Sequence, residues 1–347
     1  MSEESGATAA MRIGLFCHHD DRLTATLHRC LEEIHPGASR IFEFPVQGTP
    51  KVVIDRTGVY WDGTDVTGID VAFVQGIAYA CPVIPPNLED IDWSVWRTDY
   101  IGEEQRSSFF YSALCEMERR GVKVINPFSA LVQDFMKADL LEDFRQAGFN
   151  VPQMICTNDP EEAGAFSPSR TALWRPATGR AAWQPFRDKQ REALVSPGKP
   201  PVLLAEPIEG TLIRAYALDG HPLLSLEYAP PDAVPVERLE LFRAIECPQA
   251  HAELERLAAA AGFRWAQVLF VLREDRVWIY DVDASPVFDW LPEVFLKELT
   301  LSLAEGLLRR EHKRGEFELG QFYPRPMPFL RRMLWDLFSM EYRKYHH

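Results

Sequence analysis

Short apolar runs alternate with helix-like periodicity over the first third of the chain. Apolar runs of strand length lie at 12–17, 41–46, 69–77 and 122–126. Helical spacing of apolar positions follows the first run, at 23–34, and recurs at 104–119. Strands that alternate with helices predict an α/β layer, so we expect an N-terminal α/β domain over 12–126.

Two further segments of this region carry turn or loop signals. The alternating runs between residues 51 and 66 flank a turn signal at Arg56-Thr57-Gly58, which predicts a β-hairpin. The segment 82–93, with its three prolines, lacks periodicity and is interpreted as a long loop.

Polar residues follow two of the predicted strands. His18, His19, Asp20 and Asp21 come after the first, and Gln75-Gly76 follows a later one. Because α/β proteins bind ligands at the carboxyl ends of strands, both segments are candidate substrate loops, and the first also offers metal ligands. A loop with a helix cap is the favoured interpretation of the first, since Asp is a preferred N-cap residue.

The hydrophobic pattern changes in the middle of the chain. A helix is predicted over 134–147, ending at Gly148, and the first domain boundary is placed at about 128–150. Beyond it, short apolar runs separated by turns predict a sheet-rich region with one strong helix at 249–261. The stretch 179–201 has little apolar periodicity and is predicted to be a mobile loop.

Two helices are predicted near the C-terminus. Leucines with helical spacing predict the first over 292–310, and the second spans about 327–342. Aromatic and methionine residues crowd the segment 322–345, where a core-packing or dimer helix is favoured over a groove for a partner. We therefore expect a helical extension over 311–347 and a possible homo-oligomer formed through it.

Composition describes a folded, acidic protein. The 347 residues are 46% hydrophobic and 25% charged, which is ordinary for a globular chain. The net charge of −14 disfavours nucleic acid and anionic membrane surfaces as partners. Six widely spaced cysteines without a C-x-x-C pair favour a reducing, cytoplasmic location.

Neither a signal peptide nor a membrane span is expected. Residues 1–11 are small and acidic, so we expect a disordered tail there, and no apolar stretch approaches about 18 residues. The patterns of serine hydrolases, zincins and P-loop proteins do not occur in the sequence.

Asp281 and Asp283 form the sharpest local signal. They lie two residues apart on a predicted strand, so both side chains point to one face while Val282 points to the other. Two converging carboxylates suit Mg²⁺, and like charges side by side on a strand are costly without a cation. The alternative is that the pair caps a turn before Ser285-Pro286.

Three segments in order resemble the ATP-grasp superfamily. They are 136–152, the run from Thr171 through 201–220, and 263–286. The resemblance covers about 122–308 and is closest to carboxylate–amine ligases related to ribosomal-protein glutamate ligase and glutathione synthetase. It implies an α/β N-terminal domain, an α+β ATP-grasp core over 127–310 that holds ATP and Mg²⁺, and the C-terminal helical extension.

The resemblance also implies roles for individual residues. Lys137 and Arg175 would contact ATP phosphates, Gly179 would lie in the phosphate loop, Glu206 would meet the adenine edge, Arg214 would point to the transferred phosphate as the catalytic residue, and Asp281 and Asp283 would bind the metal. Taken alone, a solvated lysine is the favoured interpretation of Lys137 and an ordinary edge-strand carboxylate that of Glu206. For Arg214 the alternative is a surface salt bridge.

The chain departs from the family pattern at four places. Arg175 replaces a lysine, the loop holds a single glycine, and leucines stand at 212 and 269 where acidic residues are expected. Two functions therefore remain open. The first is an ATP-dependent ligase that joins a small-molecule or peptide carboxylate to an amine through an acyl phosphate. The second is a degenerate ATP-grasp protein that binds a nucleotide or a partner without catalysis.

Overall fold

The computed structural model describes residues 12–19, 21–44, 50–75, 92–166, 172–177, 183–195, 200–228, 242–286, 288, 291–308 and 321–322. Several sequence predictions fall outside these ranges: the tail at 1–11, the body of the loop at 82–91, Gly179 and the helix at 327–342. The structure is mixed α/β, with four sheets.

A parallel sheet forms the N-terminal layer. Its region contains β1 (Ile13–His18), α1 (Arg22–Ile34), β2 (Ser39–Phe44), β3 (Val52–Ile54), β4 (Val59–Trp61), β5 (Thr64–Asp65), β6 (Val71–Val74), α2 (Trp93–Arg119) and β7 (Lys123–Ile125). The parallel sheet has the order β2-β1-β6-β7, and β3, β4 and β5 form a small antiparallel sheet. The predicted α/β alternation and the predicted hairpin are both confirmed.

The next segment forms an antiparallel sheet with short helices. It contains α3 (Phe128–Phe135), α4 (Lys137–Gln146), β8 (Met154–Thr157), α5 (Pro160–Phe166), β9 (Leu173–Pro176), β10 (Gln184–Pro185), α6 (Asp188–Leu194) and β11 (Val202–Ala205). The strand order is β10-β9-β11-β8.

The third segment forms a six-stranded antiparallel sheet. It contains β12 (Thr211–Leu218), β13 (His221–Tyr228), β14 (Phe242–Ala244), α7 (Pro248–Ala261), β15 (Trp265–Arg273), β16 (Arg276–Asp283), α8 (Glu293–Leu307) and β17 (Gln321–Phe322). The order is β16-β15-β12-β13-β14-β17. The helices predicted at 249–261 and 292–310 are confirmed as α7 and α8.

Three predicted elements were wrong in extent or type. Helix α2 begins at Trp93 rather than at 104, because the Asp92 carboxylate caps it by accepting from the backbone N–H groups of Ser94 and Val95. The helix predicted from 134 is two helices that meet at Met136. The predicted mobile loop at 179–201 holds β10 and α6, which are too short to show periodicity.

The main hydrophobic core crosses the expected boundary between domains. Buried leucines of α1, such as Leu27 and Leu31, and of α8, such as Leu299 and Leu303, belong to one core that also includes the six-stranded sheet. At the edge of this contact Arg22 donates to the carbonyl of Leu291 at 2.9 Å. The N-terminal layer is thus packed directly on the third segment. Within the described residues, no helix combines the length and apolarity needed to cross a bilayer.

Candidate active site

Lys137 begins α4 and is almost completely buried, with 3% of its surface exposed. Its Nζ lies 2.6 Å from Asp134 Oδ1 and 3.2 Å from Asp281 Oδ1, and it donates to the carbonyl of Val282. Asp134 lies one turn earlier, at the end of α3, and also accepts from the backbone N–H of Ala284. A buried lysine requires such partners, since an unpaired buried charge is costly.

Arg175 reaches the same carboxylate from the other antiparallel sheet. It lies on β9, where Leu173 and Arg175 are buried and Trp174 between them is only half-buried. Its Nη1 forms an ion pair with Asp281 Oδ2, and its guanidinium lies 5.7 Å from the centre of the Trp183 ring. Asp281 therefore joins β9 of one sheet to the start of α4 and to β16 of the other.

A β-bulge in β16 positions the two aspartates. Ile279 pairs with Phe270 and Asp281 pairs with Leu269, which leaves Tyr280 as an extra residue on β16. Asp283 pairs with Gln267, so the register agrees with the prediction that both aspartates share one face. Asp283 Oδ1 also accepts from the backbone N–H of Ser285 at 2.9 Å, which is the turn cap named as the alternative.

The charges of this cluster shift one another's pKa values. Burial raises the pKa of Asp281, but the nearby Arg175 and Lys137 outweigh it, so its pKa is lowered. Burial lowers the pKa of Lys137, but Asp281, Asp134 and Asp283 outweigh it, so its pKa is raised. The pKa of Asp134 is raised, chiefly by burial and further by Asp283, against the opposing charge of Lys137.

Arg214 lies on the same sheet face as Asp281. It is 5% exposed on β12, where it pairs with Leu269, and Leu269 pairs in turn with Asp281. Two strand spacings of about 4.8 Å therefore separate Arg214 from Asp281. The Arg214 guanidinium donates to Gln267 Oε1 at 3.4 Å, in a partly buried row of side chains across the sheet.

Glu206 joins the site only through its backbone. Its residue is exposed, and its carbonyl accepts from the hydroxyl of Tyr280 at 2.6 Å. The same hydroxyl accepts from the backbone N–H of Ile208 at 2.6 Å. Tyr280, the bulged residue beside Asp281, thereby ties β16 to the segment that follows β11.

The structure adds residues that sequence reasoning missed. Asp134 could have been found from its spacing, because residues three apart on a helical turn are neighbours and Lys137 needs a partner. Trp183 and Gln267 carry no such signal, since they meet Arg175 and Arg214 only through the folding of the sheets.

The candidate loops of the N-terminal layer have different outcomes. Asp21 caps α1 by accepting from the backbone N–H of Thr24 at 2.7 Å, which confirms the helix-cap interpretation, while Asp20 lies outside the described residues. His19 Nδ1 lies 3.2 Å from Glu43. Gln75 is buried and donates through Nε2 to the carbonyl of Pro286 at 2.6 Å, two residues beyond Ala284.

The buried cations suit nucleotide phosphates better than the carboxylates suit a metal. Lys137 and Arg175 offer a point cation and a planar fork within one buried cluster. In the part of the chain that the structure describes, no group of three His, Cys, Asp or Glu side chains is arranged to hold a metal ion. Asp281 and Asp283 could hold Mg²⁺ only if phosphate oxygens or water completed its shell.

Solved structures of ATP-grasp enzymes match the chain over most of its length. The ATP-grasp ligase PsnB, in complex with a phosphomimetic variant of a minimal precursor, Mg and ADP, superposes with a TM-score of 0.71 and 20% identity, covering 86% of this chain and 98% of PsnB. A RiPP-associated ATP-grasp ligase of Chryseobacterium gregarium, in complex with ADP and a leader and core peptide, gives 0.67 and 14% over 86% and 97%.

The macrocyclase MdnC of Microcystis aeruginosa, bound with precursor peptide MdnA, gives a TM-score of 0.63 and 12% identity, covering 86% of this chain and 99% of MdnC. No protein-family model and no curated protein sequence matches the chain. The likeness is one of architecture, and it covers 86% of this chain. This chain has the ATP-grasp fold.

Proposed function

We propose that this protein is an ATP-dependent carboxylate–amine ligase whose acceptor or donor is a peptide. The observation that carries the proposal is the buried cluster in which Lys137, at the start of α4, and Arg175, on β9, close on Asp281. Both cations are buried and reach Asp281 from different elements, an arrangement that the phosphates of a nucleotide could also use. Peptide chemistry is supported by the precursor peptides bound to PsnB and MdnC.

The reaction would proceed in two steps. The substrate carboxylate attacks the terminal phosphorus of ATP, which forms an acyl phosphate and releases ADP. The amine then attacks the acyl carbon, the amide bond forms, phosphate leaves and the amine loses a proton. Lys137, Arg175 and Arg214 would neutralise the phosphates and position the reacting groups, which are the main contributions a protein makes to phosphoryl transfer.

The resting cluster would exchange partners when substrate binds. Phosphate oxygens would attract Lys137 and Arg175 away from Asp281. The freed carboxylate, with Asp283, would then hold Mg²⁺, which would offset the negative charge of the phosphates. Nucleotide alone would leave Asp281 beside phosphate without a cation, so nucleotide and magnesium should bind cooperatively.

A second candidate is nucleotide or partner binding without catalysis. Leu269 stands between Arg214 and Asp281 in the row where the family pattern leads us to expect an acidic residue. Leu212, two residues before Arg214, is buried and apolar. Fewer carboxylates in the row would weaken the metal site that phosphoryl transfer needs.

The test combines turnover with thermal stability. The protein is incubated with ATP, Mg²⁺ and pooled peptides, and ADP and new amide products are measured by mass spectrometry. In parallel, the melting temperature is recorded with AMPPNP, with and without Mg²⁺. A ligand at a hundredfold excess over its Kd stabilises by about 2.7 kcal/mol, so binding gives a clear shift.

Matched variants test whether the stabilisation by AMPPNP and Mg²⁺ arises at the charged cluster. Asp281→Asn should abolish the magnesium-dependent part of the shift, whereas Asp275→Asn, an exposed position on the same β-hairpin, should keep it. Lys137→Met should weaken AMPPNP binding, whereas Lys189→Met, exposed on α6, should not. Magnesium-linked binding without ADP release for any peptide would favour the second candidate. No shift with any nucleotide would exclude the ligase and nucleotide binding, and would leave partner binding alone.

A further inference from the structure

A groove runs along the outer edge of the parallel sheet. It encloses about 490 Å³ and is lined by residues 40–43 of β2 together with Pro50, Trp61 and Asp62. Strand β2 is the terminal strand of its sheet, whose order is β2-β1-β6-β7. The groove therefore follows the backbone of an edge strand, which is the part of a sheet that can accept another strand.

The parallel ladder determines which backbone groups of β2 face the groove. Ile13 lies opposite Ser39, and its N–H donates to the carbonyl of Ala38 at 2.8 Å. In a parallel ladder the backbone groups of alternate residues point to the same neighbour, so those of Ser39, Ile41 and Glu43 point away from β1. The Ser39 N–H is taken by a carboxylate oxygen of Glu32 at 3.1 Å. Within the described residues, the outward groups of Ile41 and Glu43 have no hydrogen-bond partner.

We propose that this groove receives an extended segment of the peptide substrate, which adds to β2 as a further strand. This inference rests on the proposed function and concerns a part of the protein distant from the charged cluster. Pairing with Ile41 and Glu43 would supply up to four backbone hydrogen bonds without requiring any particular peptide sequence.

The side chains that line the groove indicate which peptide side chains would complement it. Phe42 and Trp61 form an apolar floor, and the Arg40 guanidinium lies 5.3 Å from the centre of the Phe42 ring. Carboxylates of Glu43 and Asp62 lie on the lining and are exposed. An apolar side chain beside the ring surfaces and a basic side chain beside these carboxylates would complement the groove.

The position of the groove relative to the charged cluster supports this occupant. Gln75 follows β6, two strands in from β2, and contacts the carbonyl of Pro286, which lies three residues beyond Asp283. A strand docked on β2 would lie three spacings of about 4.8 Å from β6, or about 14 Å. Four or five extended residues, at about 3.3 Å each, cover that distance. A peptide docked parallel to β2 would run toward the end of the sheet at which the strands have their carboxyl ends, where Gln75 lies.

Peptides selected from a random twelve-residue phage-displayed library test the proposal with the full chain and without nucleotide. Selected peptides are synthesised, and their affinities are measured by fluorescence anisotropy. Ile41→Pro removes an outward N–H and leaves the hydrogen bonds to β1, because the N–H of Ile41 does not face that strand. We expect at least a tenfold loss of affinity, with circular dichroism and melting temperature confirming that the variant folds.

A charge pair of variants gives an independent readout if the proline variant fails to fold. Glu43→Lys should weaken the binding of basic peptides at least fivefold, whereas Glu33→Lys, the same change on the exposed face of α1, should leave it unchanged. Amide hydrogen exchange adds a signature that only strand addition produces. The N–H groups of Ile41 and Glu43 should gain protection on peptide binding, while that of Phe42 should not change.

Several outcomes would overturn the docking site. They are the failure to select any peptide, equal affinity for wild type and Ile41→Pro, and protection that does not alternate along β2. Self-association that Ile41→Pro abolishes would also overturn it, because the groove would then bind a second copy. Peptide binding with alternating protection but no ADP release would support the docking site and contradict the ligase proposal. ADP release without protection of β2 would support the ligase proposal and contradict the docking site.

Discussion

Two polar junctions hold the layers of this protein together, and they differ in charge. At the first, Asn126 donates to the carbonyls of Trp265 and Ala284 and accepts from the backbone N–H groups of Arg264 and Trp265. At the second, Lys137 and Arg175 close on Asp281. Both are buried, and both join elements far apart in sequence.

This difference in charge indicates which of the two junctions is the better candidate for binding a ligand. Asn126 is neutral and uses both donors and both acceptor positions of its amide, so any competing partner would have to break a bond already made. The carboxylate of Asp281 is held by charge, and under the proposed function its cations would transfer to an incoming anion while a metal replaced them. The first junction therefore fixes the layers, and the second is the one proposed to exchange partners.

The largest expected effect is at the neutral junction. Asn126→Leu keeps a similar volume and leaves four buried backbone groups without partners. Since each such group costs about 1–3 kcal/mol and the costs do not add fully, we expect the free energy of unfolding to fall by about 3–5 kcal/mol. Urea denaturation measures the change. Asn150→Leu is the control, because the side chain of Asn150, at an exposed position, donates to the carbonyl of Val277 at 3.2 Å, and its loss should cost less than about 1 kcal/mol.

The second effect distinguishes the charged junction from the neutral one. Asp281→Asn leaves two buried cations without their shared carboxylate, and we expect a loss of about 3 kcal/mol in the absence of ligands. Unlike the loss at Asn126, this one should be reversed by an anion. Tripolyphosphate without magnesium should raise the melting temperature of Asp281→Asn more than that of wild type. An equal rise in both proteins would mean that the cations of the cluster are not available to phosphate.

Local geometry explains which parts of these junctions could be predicted from sequence. The shared face of Asp281 and Asp283 follows from the two-residue period of a strand, and the helix cap at Asp21 follows from residue type. The contact between Arg175 and Asp281 spans 106 residues and depends on how two sheets meet, which no local pattern encodes. The bulge at Tyr280 could not be predicted from the sequence either, because Tyr is compatible with a regular strand as well as with a bulge.

Short elements and breaks were missed for another physical reason. Strand β10 has two residues and α6 has seven, too few for a hydrophobic period to be seen. The break at Met136 separates α3 from α4 although the apolar positions continue across it. On the two sides of the break, Asp134 contacts the backbone of Ala284 and Lys137 that of Val282, and these contacts form only in the folded chain.

A third prediction uses pH to separate two carboxylates of the charged cluster. The pKa of Asp134 is raised, mainly by burial, so its protonated form favours folding. Its contribution is present below the unfolded pKa of about 3.9 and is lost as pH rises through the folded value. The pKa of Asp281 is lowered, so its contribution is present above about 3.9 and is lost as pH falls through the folded value.

The two aspartates should therefore give slopes of opposite sign in acid. The stability of Asp134→Asn relative to wild type should increase as pH rises above about 4, whereas that of Asp281→Asn should decrease as pH rises toward about 4 from more acidic values. Urea denaturation at each pH measures both. Asp143→Asn, exposed on α4, is the control and should show neither slope. Parallel slopes for both cluster variants would contradict the assigned directions.

The smallest expected effect comes from an ion pair on the same helix as Lys137. Glu142 and Arg145 pair at 2.5 Å on the exposed side of α4, and hydrogen bonds from Arg145 and Gln146 lower the pKa of Glu142 to about 2. Water and salt screen exposed pairs, so Glu142→Gln should change the free energy of unfolding by no more than the error of measurement. Raising the salt concentration to about 1 M should leave that result unchanged. The loss in Asp281→Asn should persist at the same salt concentration, because the buried pairs are screened much less. If Glu142→Gln cost as much as Asp281→Asn, burial would not be what distinguishes the energetics of the charge cluster from those of a surface ion pair.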